Sequence, residues 1–326
     1  MPRRDLFSPL ILLSLLSVFC MVVSITQGSV QLSLGQILDV FQGQGTQLNQ
    51  ILVWELRVPR IMAAFATGGL LAVAGALMQI LLRNPLADPY VLGISGGASV
   101  AALLAILAGV TGIVLSSAAF FGAALSTILV FGLAQGDGRP SPMRLLLTGV
   151  VIASGWGAFI TLMLALAPPQ KIPGMLFWLM GDLSYAQSPW LAWAALIPVC
   201  LVLIPLGRSL NVLACGPLQA AALGLNVKYL ERFVFVIASL LTAVAVTTAG
   251  SIGFVGLVVP HILRLILGND QRLILPACAL AGGCLVTLAD TVARTVIAPE
   301  QLPVGVITAL LGVPTFLYLL RRGRVA

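Results

Sequence analysis

One histidine, five cysteines and one carboxylate placed deep inside an apolar stretch are the side chains with the widest chemical range in this 326-residue sequence, and their spacing restricts what they can do. His261 has no cysteine or carboxylate near it in sequence, so a tetrahedral zinc site lacks its ligands and no metal is expected. The cysteines are spread singly. Cys20, Cys200, Cys278 and Cys284 lie in apolar runs, where a thiol acts as a small hydrophobe, and neither a metal-ligand spacing nor a disulfide framework is visible. Asp290 stands alone, so intramembrane hydrolysis by paired aspartates has no second member. Lys171 and Lys228, the only lysines, are followed by Ile172 and Tyr229, so no glycine-rich phosphate loop ending in Lys-Ser/Thr exists here. No residue is assigned to catalysis, and no cofactor is expected on this chain.

The elements that carry these residues follow from composition. Hydrophobic residues make up 60% of the chain and charged residues 8%, against roughly 45–50% and about 25% in a soluble domain. That much apolar surface needs lipid as its solvent, and spanning elements in lipid must be helices or a closed barrel. Runs such as 61–82 and 145–167 approach the ~20 residues that cross a hydrocarbon core as a helix, and the short alternating segments of a barrel are absent. The sequence therefore predicts an all-α polytopic membrane protein forming a single transmembrane unit over 1–326, with ten spans near 8–26, 61–82, 89–109, 113–133, 143–167, 190–207, 229–250, 252–269, 273–293 and 303–320. The first run follows Arg3 and Arg4 like a secretory signal, but no small-residue cleavage site follows it, and a retained first helix is the reading adopted. With the amino terminus inside, thirteen of the seventeen basic residues fall on the inner side, leaving Arg57, Arg60, Lys171 and Arg294 outside. This asymmetry predicts both termini in the cytoplasm. It also accounts for the net charge of +7 without nucleic acid, because the basic residues are dispersed between apolar runs.

Three places combine polarity with irregularity. At the outer mouth of the second span, Arg57 and Arg60 are joined by Arg294 at the outer end of the ninth. They either snorkel to lipid phosphate or offer guanidinium forks to carboxylates of a docking protein. The stretch from Asn84 to Ala98 holds Pro85, Pro89, Gly93 and Gly97, which fits close helix packing or a broken helix lining a pathway. Pro260 and His261, with Arg264, break the eighth span; a structural polar cluster is the plainer reading and a pathway residue the sharper one. On the inner side, the loop 208–228 contains Leu213 to Leu225, apolar yet too short to span. Its alanine-rich centre predicts a short helix capped by Gly224 on the cytoplasmic face, a surface that invites a partner. Ala74-Gly75 followed by an apolar run to Pro85 has a faint echo in Ala249-Gly250 followed by a run to Pro260, in spans of opposite direction as in inverted repeats.

Several ordered motifs resemble one family: Leu56-Arg57-Val58-Pro59-Arg60, Asn84-Pro85-Leu86-Ala87-Asp88-Pro89, Leu92-Gly93-Ile94-Ser95, the run from Gly253 to His261, and Leu302-Pro303-Val304-Gly305. In their order and spacing, over essentially the whole chain, they resemble the FecCD-type permeases of bacterial ATP-binding-cassette importers for cobalamin and iron chelates such as siderophores and haem. The resemblance implies a bacterial inner-membrane permease working by alternating access, as a homodimer or beside a similar second permease. It implies ATP bound and hydrolysed on separate cytoplasmic ATPase subunits. These would dock on Leu213, Gly216, Ala220, Leu223 and Gly224, with Pro217 standing where some relatives carry an acidic residue. It also implies a periplasmic substrate-binding protein whose carboxylates meet Arg57, Arg60 and Arg294. The Asp88-Pro89-Tyr90 form leans slightly to ferric chelates as cargo. A secondary transporter or channel independent of an ATPase is the competing function, and it would need coupling-ion carboxylates that the spans hardly offer.

Overall fold

A computed structural model describes residues 7–28, 30–134, 142–184, 186 and 188–321. Arg3, Arg4, Arg139, Arg322 and Arg324, used above for orientation, lie outside the described residues. The described chain is helical: α1 (Phe7–Thr26), α2 (Leu34–Phe41), α3 (Gln47–Gln50), a π-helical turn (Ile51–Arg57), α4 (Val58–Leu82), a 3-10 turn (Pro89–Leu92), α5 (Ile94–Leu107), α6 (Gly112–Ala134), α7 (Pro142–Leu166), α8 (Ile172–Met180), α9 (Trp190–Ala214), α10 (Pro217–Ala222), α11 (Val227–Ala249), α12 (Val255–Leu267), α13 (Gln271–Thr295) and α14 (Val304–Arg321).

A helix occupies each of the ten predicted stretches. Seven are long and apolar enough to cross a membrane; Ile94–Leu107, Val255–Leu267 and Val304–Leu319 are shorter apolar helices. At 1.5 Å per residue, α5 reaches only about 21 Å, short of a ~30 Å hydrocarbon core. The remaining depth belongs to irregular backbone, which membranes tolerate only where protein covers it. The helices α2, α3 and α8, in segments assigned by sequence to the outer side, are not among the predicted elements, and α9 continues to Ala214 past its expected end near 207. The charge at Arg208 suggests a boundary, but the helix runs on through it and Asn211 ties its end to the start of α13: Asn211 Nδ2 donates to Asp270 Oδ1 at 3.0 Å, and Asn211 Oδ1 accepts from Gln271 N at 2.7 Å.

The core is built around α4, whose membrane-spanning stretch is 94% buried, against 17% for α1 and 11% for α7. Sequence explains the difference, because α4 carries small residues on every side while α1 and α7 present Leu, Ile, Val and Phe outward. A Cβ on Gly68 would overlap the carbonyl of Gly282 in α13, and one on Gly75 would overlap the carbonyl of Gly256 in α12. Backbones meet directly at these two points, the small-residue contact that substitutes for a hydrophobic driving force in lipid.

Candidate functional site

Where α4 begins and α13 ends, one carboxylate gathers two of the predicted arginines. Arg60 lies in the first turn of α4 and Asp290 in the penultimate turn of α13; Arg60 donates from Nε and Nη2 to Asp290 Oδ1 at 3.0 and 2.8 Å. Arg294, one turn after Asp290, places its Nε 3.0 Å from Oδ2 and donates from Nη2 to Ser24 Oγ of α1 at 3.0 Å. The carboxylate side chain is 1% exposed, the Arg294 side chain 9% and the Arg60 side chain 13%. Arg57 does not join the pair. Its guanidinium is buried and donates to the carbonyls of Ile25, Thr26 and Val30, stapling the end of α1 and the following loop to the turn that opens α4. Lys171, the fourth basic residue on the predicted outer side, donates to the carbonyl of Leu107 at the end of α5. Each residue that breaks the charge bias is thus held by an acceptor inside the protein.

The two predicted breaks meet each other. After α4 ends on Arg83 in the left-handed region, the Asn84 side chain accepts from Leu86 N and the Asp88 side chain from Tyr90 N, which turns the chain through Pro85 and Pro89 to Gly93 at φ +70° and into α5. The second break runs from Gly250 to Phe254, both at positive φ, and opens α12. Ile252 N donates to Tyr90 Oη at 3.1 Å, and Gly256 lies against Pro89. Each short helix therefore begins after a left-handed residue at a point where the two irregular segments touch. Gly97 packs on Gly122 of α6, so it serves helix packing. The second break also receives neighbouring helix ends: Asp182 N donates to Ala249 O at 2.9 Å and Val304 N to Gly181 O at 3.0 Å.

Pro260 sits inside α12 and has no N–H for the carbonyl of Gly256, four residues earlier. Gln79 of α4 supplies the missing donor: its Nε2 lies 3.3 Å from Gly256 O and 3.3 Å from Leu257 O. Arg264 donates to Gln79 Oε1, which fixes the amide orientation. His261 is buried, and its Nε2 has no hydrogen-bond partner among the described residues. Gln79 escaped the sequence reading because a lone glutamine in an apolar run carries no motif, and Pro260, three and four residues after the carbonyls Gln79 reaches, gives no hint of a partner so distant in sequence. Beside α12, a cleft of about 220 Å³ opens between it and α14, with Phe254, Val258, Thr308 and Leu311 in its wall.

On the opposite face, α10 forms where the short apolar helix was expected. Gly216 at φ +121° starts it, Pro217 occupies its first turn, and Gly224 at φ +81° follows its last residues. Ala220 is buried, while Leu218 and Leu223 are 86% and 71% exposed. Leu213 is buried at the end of α9 and anchors the helix from below. Asp270, in the adjoining loop, is bonded by Arg272 and Asn211, and these hydrogen bonds hold its carboxyl down at about 2.

Among the described residues no group of histidine, cysteine or carboxylate side chains is arranged to hold a metal. The architecture instead matches solved transporters. A metal-chelate type ABC transporter in an inward-facing conformation superposes with a TM-score of 0.83 at 29% identity, covering 97% of this chain and 99% of that one. PsaBC from Streptococcus pneumoniae, at 17% identity and a TM-score of 0.55, shares the fold. Among sequences, the cobalamin import system permease protein BtuC of Halobacterium salinarum is 43% identical over 277 residues, 83% of this chain and 74% of its own. The vitamin B12 import system permease protein BtuC of Shigella boydii is 38% identical over 321 residues, 97% of this chain and 95% of its own. With the family matched over residues 15–322, this multi-pass ABC-transporter permease belongs to the FecCD transport family.

Proposed function

We propose that this chain is the inner-membrane permease through which an ATP-binding-cassette importer moves a cobalamin-type metal chelate, with ATP bound and hydrolysed on separate subunits. The observation that carries the cargo is the identity of 38–43% to permeases named for cobalamin and vitamin B12, maintained over most of each chain. It outweighs the slight lean to ferric chelates drawn from Asp88-Pro89-Tyr90. Ten spans with both termini in the cytoplasm, in a single unit with a second permease copy alongside, form the frame of this reading. Cytoplasmic ATPase subunits seat the exposed Leu218 and Leu223 of α10; the α10 turn carries only hydrophobic, alanine and glutamine side chains, a surface for burial in a partner groove. At the outer face, a periplasmic binding protein delivers the cargo to the region organised by Arg57, Arg60 and Arg294. Nucleotide binds the two states of the ATPase pair unequally, and that difference supplies the work of alternating access.

The test is uptake into proteoliposomes that contain this chain, its ATPase and its binding protein, supplied with labelled cobalamin, ferric siderophore or haem. Cobalamin uptake that requires ATP is the expected result. Uptake of a siderophore or haem alone overturns the cargo, and uptake by the chain without an ATPase overturns the importer reading in favour of a secondary transporter.

A further inference from the structure

Only Cys215 and Gly216 join α10 to α9, whereas the longer segment 223–226, with Gly224 at positive φ, joins it to α11. The end of α9 is therefore the shortest covalent route from α10 into the bundle, and it is set apart from the rest of its helix. Pro205 has no N–H for the carbonyl of Leu201, so a rung of the helix is missing there. Beyond it, two successive turns face α13. A Cβ on Gly207 would stand 2.7 Å from Arg272 Cγ and 3.0 Å from Arg272 N. Asn211, one turn later, accepts from Gln271 N at 2.7 Å and donates to Asp270 Oδ1 at 3.0 Å. The first N–H groups of a helix have no acceptor within it. At α13 they are capped from two helices: Asp270 Oδ1 takes the N–H of Arg272 at 3.1 Å, and Asn211 Oδ1 takes that of Gln271. Further along, α13 meets α4 backbone to backbone at Gly282 and Gly68, and Asp290 holds Arg60. A continuous series of contacts thus runs from α10 through Asn211 to α13 and the central helix α4.

We propose that Asn211 is the positioning residue that couples α10 to α13. It makes the turns of α9 beyond Pro205 and the first turn of α13 one body. A displacement of α10 imposed by the ATPase subunits is then delivered to α13 and α4 instead of being absorbed by bending at Pro205, where the missing hydrogen bond lets a helix kink. Asn211 directs both ends of its amide at α13, so it acts behind the surface that α10 presents to a partner. The proposal rests on the importer reading given above and names the residue through which that importer passes movement between two of its helices.

The test measures cargo taken up per ATP hydrolysed in proteoliposomes of the full complex, with labelled cobalamin or whichever chelate of the uptake assay the native complex moves, beside the ATPase that co-purifies with each variant. Asn211→Ala is expected to lower the ratio fivefold or more while co-purification stays within twofold. Asn211→Asp keeps the acceptor for Gln271 N but sets a second carboxylate against Asp270, and is expected to lower the ratio as well. Adding Asp270→Asn restores one amide and one carboxylate across the junction with their places exchanged, and should return the ratio to within twofold of native. A lower thermal midpoint with an unchanged ratio in Asn211→Ala makes Asn211 a helix cap only and overturns the proposal. So does a ratio that falls together with co-purification, which would place the effect at the docking surface, or an exchanged pair no better than Asn211→Asp alone. If the native complex moves no chelate with ATP, the importer reading itself fails, and this proposal with it.

Discussion

Asp290 neutralises two guanidiniums from a position that is 1% exposed, so removing its charge leaves both facing each other without an anion. Breaking a buried pair from one side costs about 3–5 kcal/mol. Asp290→Asn is therefore expected to lower stability by roughly 3 kcal/mol, read as a fall in the thermal midpoint of the detergent-solubilised protein; an unchanged midpoint contradicts the shared pairing. A second residue-scale prediction concerns pH. The Asp270 carboxyl, held down at about 2 by its hydrogen bonds to Arg272 and Asn211, contributes stability that is fully present above the ordinary carboxylate value near 3.8 and is lost as pH falls through about 2. The midpoint difference between the native protein and Asp270→Asn should shrink across that window and stay constant from pH 5 to 7. At this scale the sequence identified Asp290 and the arginines as unusual, because charge is rare in apolar runs. Their pairing spans 230 positions between Arg60 and Asp290, a separation that spacing does not encode.

The α4–α12 contact shows how one element depends on another. Gly75 lets α12 approach, the approach brings Gln79 to the carbonyl that Pro260 leaves unpaired, and Arg264 holds the amide in place. Gln79→Leu strands buried polar groups and is expected to cost about 1–3 kcal/mol. Pro260→Ala restores an N–H for the Gly256 carbonyl, so the double variant should be less destabilised than the sum of the single ones in chemical denaturation. Additive effects would separate Gln79 from the proline. On α10 the expectation is the reverse, because Leu218 is almost fully exposed. Leu218→Asp should change stability by no more than about 0.5 kcal/mol while reducing co-purification of the ATPase subunits at least tenfold; retained co-purification would remove α10 from the interface. The helix was legible in the sequence from its apolar residues between charged boundaries, whereas α2 and α8 were not, since α2 is a short segment in a glycine-containing loop and α8 one in a loop broken by proline and glycine.

For the whole molecule, the orientation yields a test that uses a native residue. Cys215 is exposed between α9 and α10, while Cys20, Cys278 and Cys284 are buried and Cys200 is partly buried in α9. A membrane-impermeant maleimide should label Cys215 in inside-out vesicles and not in right-side-out ones; the opposite pattern inverts the topology. Sequence by itself determined the solvent, the helical class, the location of the long apolar helices, with the end of α9 missed by about two turns, and the family, because apolar run length and ordered local motifs are properties of neighbours along the chain. Only the tertiary structure decided that α4 is the centre of the bundle, that the breaks before α5 and α12 lie against each other, and that the outer basic residues are bound internally. Those outcomes depend on which backbones come close enough to touch, and that is set by glycines and single polar side chains whose partners lie far away in sequence. A lone Gln79 or Asp290 states that a partner is needed, since an unpaired polar group inside lipid is costly, but the fold alone supplies the partner.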